Sequence, residues 1–277
     1  MKKFQTVLLT FTAILALFAI TACGDGNDNQ VIRIGATAVP HSEIINYITP
    51  ILEEQGFTVE LSVFNDFIAP NLALHNGDID INFFQHRPFL SGFNADNNAS
   101  LVPVFGVHFE PLRLYAHAQG TTLADIISGA SIAIPNDPTN EARALQLLES
   151  LELITLYDDT RTTATATHGI AQNPLNLTIT PMAADMLAPA LPDVDFAVIN
   201  GNFALQGGVM HLAIEGSGED IVSPAAQEFF TNFVVVRDGY ENDPRVTALV
   251  NALNTQHVRD FIAEQYQGRV VPTFLRP

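Results

Sequence analysis

The chain has 277 residues, 12 Lys and Arg against 30 Asp and Glu, and a formal net charge of −18. With 47% apolar residues it has ample surface to bury, which excludes disorder for most of its length. Its acidity excludes a nucleic-acid binder, which needs a basic footprint, and its single Cys excludes a disulfide framework or a Cys-based zinc cluster.

Lys2 and Lys3, the only lysines, precede an apolar stretch of 14 residues from Val7 to Ile20. A membrane-spanning helix needs about 20, so the stretch reads as the core of a secretion signal. It ends in Ile20-Thr21-Ala22-Cys23, small residues before a Cys as in a bacterial lipobox. The expected organisation is a signal peptide over 1–22, a lipid anchor on Cys23 and a polar tether over 23–30. Three acyl chains on Cys23 would exceed the two signals that stable anchoring requires. Asp25, Asn27 and Asn29 loosely echo a calcium loop, but its Gly is missing and Ala36 stands where the bidentate Glu belongs.

The body alternates strand and helix. Val31 to Gly35 reads as a strand, and Glu43 to Gln55 as a helix with Ile44, Ile48, Ile51 and Leu52 on one face, Ser42 as N-cap and Gly56 as stop. Thr58–Phe64 and Ile79–Phe84 read as strands around a short helix at Pro70–His75. After an extended apolar run at Val104–Tyr115, the pattern resumes with a short helix at Leu123–Ile127, a strand at Ser131–Pro135 and a helix at Thr139–Ser150. Leu177–Thr180, Met182–Leu187 and Asp195–Asn200 read as strand, helix and strand. Phe229–Arg237 is again extended, and two closing helices follow at Pro244–Asn254 and Gln256–Gln265, the second ended by Gly268. Such alternation predicts an α/β fold with parallel sheets. Two such units, joined by crossovers at the extended runs, predict a discontinuous first lobe (31–114 plus 233–277) and a second lobe (115–232) around one cleft. Ligands of open α/β sheets sit at the carboxyl ends of strands, and clefts between lobes favour small molecules.

The residues after each strand carry the chemistry. Asp137, Thr139 or Asn140 can cap the helix that follows Pro135, and Arg143 is placed in its first turn. Helix terminus and guanidinium together suit a carboxylate; a surface pair with Glu141 or a nearby acid is the other reading of Arg143. Phe83 and Phe84 point to opposite faces of a strand, one toward the core and one toward a slot with His86 and Phe89 that suits an apolar or thioether group. Ordinary core packing is the alternative there, as a structural hydrogen-bonded role is for His86. Asn200, Asn202 and Asn232 stand at strand ends, where an amide serves either a ligand's ammonium or carboxylate, or simple turn chemistry.

The stretches GATAVPHSEII (35–45), GDIDINFFQHRPFL (77–90), IAIPNDPTNEARALQLLE (132–149) and DVDFAVINGNFAL (195–205), with a final QG and VVP, resemble the methionine-binding lipoprotein (MetQ/NlpA-type) family of ABC importers. The resemblance implies a two-lobed type II periplasmic-binding-protein fold that closes on a free amino acid, usually L-methionine. It also implies docking on a membrane permease with a separate ATPase. It casts Arg143 and Asn140 at the ligand carboxylate, Asn232 at the ligand backbone and Asn200 near the ligand from the second lobe. Phe84, His86 and Phe89 fall around its side chain. The implied protein is a monomeric, lipid-anchored binding protein on the outer side of the cell membrane, without enzymatic activity, cofactor, metal or nucleic-acid partner. Departures from the family pattern are Arg113 and Tyr115-Ala116 near a crossover, Pro181 for a usual Glu, Phe83 for a Tyr, and Glu228-Phe229-Phe230-Thr231-Asn232 in the last crossover. These leave the carboxylate clamp intact and bear on side-chain specificity.

Two competing classes remain. A metal-binding transport lipoprotein would need a ligand cluster, and the eight His are scattered in sequence without a His-x-x-x-His motif. A hydrolase would need a nucleophile motif; Gly216-Ser217-Gly218 lacks the Gly-x-Ser-x-Gly spacing, and no His-Glu-x-x-His or phosphate-binding loop is present.

Overall fold

The computed structural model describes residues 30–218 and 224–276, so the expected signal, Cys23 and nearly all of the tether lie outside the described residues. The chain builds β1 (Val31–Thr37), α1 (Glu43–Glu54), β2 (Thr58–Phe64), α2 (Ala69–Asn76), β3 (Ile81–His86), α3 (Arg87–Asn97) and β4 (Leu101–Phe109). It then forms β5 (Arg113–Ala116), β6 (Ser131–Pro135), α4 (Pro138–Ser150), a small β7/β8 ladder (Thr155–Leu156, Ile170–Gln172) and β9 (Thr178–Met182). α5 (Leu187–Ala190), β10 (Phe196–Ile199), α6 (Gly201–Gln206) and β11 (Ala213–Gly218) follow. The chain closes with α7 (Pro224–Phe229), β12 (Thr231–Arg237), α8 (Pro244–Leu253), α9 (Gln256–Tyr266) and β13 (Val271–Leu275).

Two sheets result, in the orders β13-β4-β12-β3-β1-β2 and β11-β5-β10-β6-β9. Both are mixed rather than wholly parallel. β2, β1 and β3 run parallel, while β12 and β4 pair antiparallel where the chain returns. In the second sheet β6 is parallel to β9 and β10, and β5 is antiparallel to β10. Strand alternation sorts the side chains. Val234 and Val236 enter one core with Ile44, Ile48, Leu249 and Ile262 from α1, α8 and α9. Phe233 and Val235 enter the opposite one with Leu74 and Phe93 from α2 and α3. The second sheet does the same, with Ile132 and Val198 facing α4 and Ala197 and Ile199 facing α5 and α6. Sheets buried on both faces read as unbroken apolar runs, as in Phe233–Val236.

Several local expectations shift. Ser42 makes no side-chain cap to α1; its hydroxyl turns back to the Ala38 carbonyl. Ile51 lies at the exposed edge of α1, and Ile45 takes its place in the core. Helix α3 was not anticipated: Pro88 opens it and His86 caps it by accepting from the Phe89 N–H. The run Val104–Tyr115 is two strands in different sheets, and the chain crosses only at Glu110–Leu112. Arg113 and Leu114 therefore pair in the second sheet, just before the expected boundary, while Thr231 and Asn232 pair in the first. Pro181 stands on β9, an edge strand, where a missing N–H removes no ladder bond that the sheet needs.

Candidate ligand-binding site

The carboxyl ends of β3, β4, β6 and β10 meet around one partly open cavity. All seven residues expected at a ligand line it: Phe84, His86, Phe89, Asn140, Arg143, Asn200 and Asn232. The first sheet places its share by register. Asn232 opens β12 opposite His86 of β3 and His108 of β4, and bulges around Phe233 shift the pairing on either side. Bulges of this kind re-aim side chains next to sites.

On the second sheet, Asp137 caps α4 by accepting from the Asn140 N–H at 3.0 Å, and it also accepts from the Thr139 hydroxyl at 2.9 Å. The helix terminus is thus already occupied by a protein carboxylate, and Arg143 stands in the second turn rather than the first. Arg143 is 4% exposed, so the surface pair with Glu141 does not form; Glu141 instead accepts from the Ala166 N–H. The guanidinium donates to the Glu110 carbonyl at 2.8 Å and lies 4.3 Å from the Phe230 ring centre. The substitution of the last crossover by aromatic residues thereby seats the cation.

A chain of amides fixes the polar end. The Asp137 carboxylate can only accept, so Asn140 Nδ2 must face it, at 3.0–3.1 Å. Asn140 Oδ1 then accepts from Asn200 Nδ2 at 3.1 Å and from His86 Nε2 at 3.2 Å. His86 Nδ1 accepts from the Phe89 N–H, which leaves the neutral ring with its proton on Nε2. Burial, and then the nearby Arg143 charge, push the His86 pKa down to about 3, in keeping with that tautomer. The His86–Asn140 bond joins the two sheets across the cavity. Two atoms are left over at the polar end: Asn200 Oδ1 and Asn202 Nδ2 are buried without a hydrogen-bond partner, one acceptor and one donor. Buried amide groups in this condition are costly unless something fills the space beside them.

The other end is aromatic. Phe67, from the loop between β2 and α2, lies 5.9 Å from Phe84, 5.8 Å from Phe89 and 4.8 Å from Phe203, ring centre to ring centre. Phe84 faces the cavity and Phe83 the core, as strand alternation requires. Phe83 packs edge-on against His41 at 4.7 Å, so a hydroxyl on it would point into the core rather than at a ligand. Behind β3, Asn71 and Gln85 exchange amide hydrogen bonds at 2.6 and 2.8 Å, and Asn82 donates to Asn71 at 2.7 Å. This satisfied network holds the strand that carries Phe84 and His86.

Sequence reading missed Phe67, Gln85, Glu110 and Gly201 in the cavity wall and assigned Asn202 chiefly to turn chemistry. It also treated the His residues as scattered, whereas the fold gathers His41, His108 and Glu110 so that one ligating atom of each lies within 4.8 Å of the others. That spacing would accommodate a cation. The contacts are those of a held acid: His108 Nε2 lies 2.9 Å from Glu110 Oε1, and Thr37 Oγ1 takes up His41 Nδ1 at 2.7 Å. Burial lowers both His pKa values to about 3 and raises that of Glu110. An acid in the apolar run Val107-His108-Phe109-Glu110-Pro111-Leu112 was the available signal.

Comparison with known proteins gives a consistent picture. The family model described as NlpA lipoprotein matches residues 32–274. The methionine-binding lipoprotein MetQ of Bacillus subtilis is 32% identical over 98% of this chain and 99% of its own length. Lipoprotein Tp32 of Treponema pallidum superposes with a TM-score of 0.80 at 35% identity, over 89% of this chain and all of its own. A nutrient-binding protein of Burkholderia cenocepacia, solved bound to methionine, superposes with a TM-score of 0.78 at 33% identity, over 88% of this chain and 100% of that one. The α/β fold with two lobes and a cleft between them is therefore that of the periplasmic binding proteins.

Proposed function

The chain belongs to the NlpA lipoprotein family, and we propose that it captures a free amino acid, methionine, outside the cytoplasm and delivers it to an ABC permease with its ATPase subunit. The observation that carries this reading is a cavity with two chemically opposite ends. Arg143, with Asn202 and Asn232, forms a donor set for a carboxylate, Asn140 holds His86 and Asn200 in place behind it, and the orphaned Asn200 Oδ1 is an acceptor for an ammonium. Phe67, Phe84 and Phe89 form a slot without a polar atom, which suits a thioether through sulfur–aromatic contact. A relative named for methionine binding and a similar structure solved with methionine support the same ligand.

The two lobes are assigned with the first crossover at Glu110–Leu112 and the return just before Thr231, with the ligand between them, and the working form is a monomer. The His86–Asn140 bond ties the lobes in the closed state. Among the described residues no helix is long and apolar enough to cross a membrane. Attachment on the extracytoplasmic side is assigned to acylated Cys23. Replacing Cys23 with Ser is expected to move the protein from the membrane pellet to the soluble fraction; persistence in the pellet would contradict the lipid anchor.

A thermal-shift panel tests the ligand class. Methionine at a hundred times its Kd is expected to stabilise the fold by about 2.7 kcal/mol, whereas dipeptides and amino acids with charged side chains leave the melt unmoved. If zinc alone shifts the melt and no amino acid does, the occupant is a cation held by His41, His108 and Glu110, and the amino-acid reading falls.

A further inference from the structure

Phe230 stands where the chain returns from the second sheet to the first, between α7 and β12. Its ring makes two contacts from behind the cavity wall. The ring centre lies 4.3 Å from the guanidinium carbon of Arg143, which α4 carries on the second lobe. It also lies 5.2 Å from the His86 ring, edge to face, at the end of β3 on the first lobe. The geometry points to Phe230 as a positioning residue that couples lobe closure to carboxylate binding: the ring seats Arg143 toward the ligand in the closed form and gives it up when the lobes part. This rests on the amino-acid reading above and deepens it.

A guanidinium offers a ring its flat face and a carboxylate its N–H edge, so the two partners do not compete. One N–H of that edge donates to the Glu110 carbonyl, so carbonyl and ring together fix the direction and the plane of the group. Phe109, at the end of β4 and paired with Thr231 beside Phe230, adds a second ring at 5.8 Å. The cation of one lobe is thus received by aromatic side chains of the crossover and of the other lobe, contacts that require the lobes to be together. Arg143 is buried, and burial strengthens the attraction between a cation and a ring face. The ring is itself anchored. The Phe230 N–H donates to the Ala226 carbonyl at 2.9 Å, and the next hydroxyl, that of Thr231, donates to the Gln227 carbonyl at 2.7 Å. Phe230 also lines an outer groove with Gln146, Leu147 and Ala226, so its ring separates the buried cation from that groove. It stands outside the cavity wall, so its effect passes through Arg143 and His86 rather than through contact with the ligand.

The test is stopped-flow binding of methionine to the purified full-length protein. Phe230→Leu keeps an apolar side chain without a π face. It is expected to raise Kd about 10-fold, nearly all of it as faster release, with the association rate within about twofold of wild type. Phe230→Tyr keeps the face and is expected to stay within about twofold of wild type in both rates. Phenylalanine with one, two or three ring fluorines in place of Phe230 draws negative charge off the face at nearly constant shape, so release is expected to accelerate with each fluorine. A merely structural ring gives a flat fluorine series, and a flat series overturns the inference. So does Phe230→Leu protein that binds and releases methionine as the wild type does. Should Phe230→Leu fail to fold, the fluorinated proteins carry the test alone. Wild-type protein that binds no free amino acid is a separate result: it removes the functional reading, and this inference with it.

Discussion

Replacing Arg143 with Ala is expected to weaken methionine binding by about 2–5 kcal/mol, the range for stripping one partner from a buried, hydrogen-bonded charge pair. The reason is positional. Asp137 caps α4 and so removes the helix terminus as an alternative anion site, and among the described residues Arg143 is the cation in the cavity wall. Its plane is set by Phe230 on one side and by the Glu110 carbonyl in front, so little conformational freedom remains to be lost on binding. Asn202 and Asn232 could still donate to a carboxylate, but neutral amides would not balance its charge. Arg143→Lys is expected to recover only part of the loss, since an ammonium cannot reproduce the flat two-point fork. Titration calorimetry on the two variants, with circular dichroism to check their folding, measures both effects. An unchanged Kd in Arg143→Ala would remove the carboxylate role, and with it the orientation assigned to every other group in the cavity.

The sequence makes some of this site legible and hides the rest for identifiable reasons. The strand at Ser131–Pro135 and the helix after it are readable almost to the residue, because Pro135, Asp137 and Pro138 mark the turn and the cap chemically. Helix α3 is not, because Phe83 to Phe89 looks like one aromatic strand until Pro88 is credited as a helix opener. The antiparallel half of the first sheet is hidden as well: β12 and β4 pair across more than a hundred residues, and strand patterns carry no record of direction. Candidate site residues at the ends of local motifs, such as Asn140, Arg143 and Asn200, could be picked out one by one. Phe67 and Glu110 could not. Each sits in a loop or crossover whose sequence looks ordinary, and only convergence of distant segments brings it to the cavity. The His41–Glu110–His108 cluster has the same origin, since 67 residues separate its two histidines and nothing local links them.

That cluster, with His86, also makes the fold acid-sensitive. Burial pushes the pKa of His41, His86 and His108 down to about 3, from 6.5 in an unfolded chain. Between these values the unfolded state binds a proton at each site that the native state refuses. Stability is therefore full above pH 6.5 and falls as the pH drops toward about 3. Each such His costs about 1.4 kcal/mol per pH unit in the window, so three together cost about 4. Glu110 acts in the opposite sense, because burial raises its pKa and the native state holds its proton where the unfolded state has lost it. Between pH 4.5 and that raised value it offsets one of the three histidines, leaving a slope of about 3 kcal/mol per unit. A domain of ordinary stability, about 5–15 kcal/mol, would lose most of it within a few pH units at that slope. Urea unfolding over a descending pH series measures the slope directly, and constant stability from neutral pH down to 4.5 would contradict three neutral buried imidazoles. His86→Gln keeps an amide donor toward Asn140 and removes one titrating group, so its slope is expected to be shallower by about 1.4 kcal/mol per pH unit while the other two persist. A slope unchanged by that substitution would place the proton-refusing groups elsewhere in the fold.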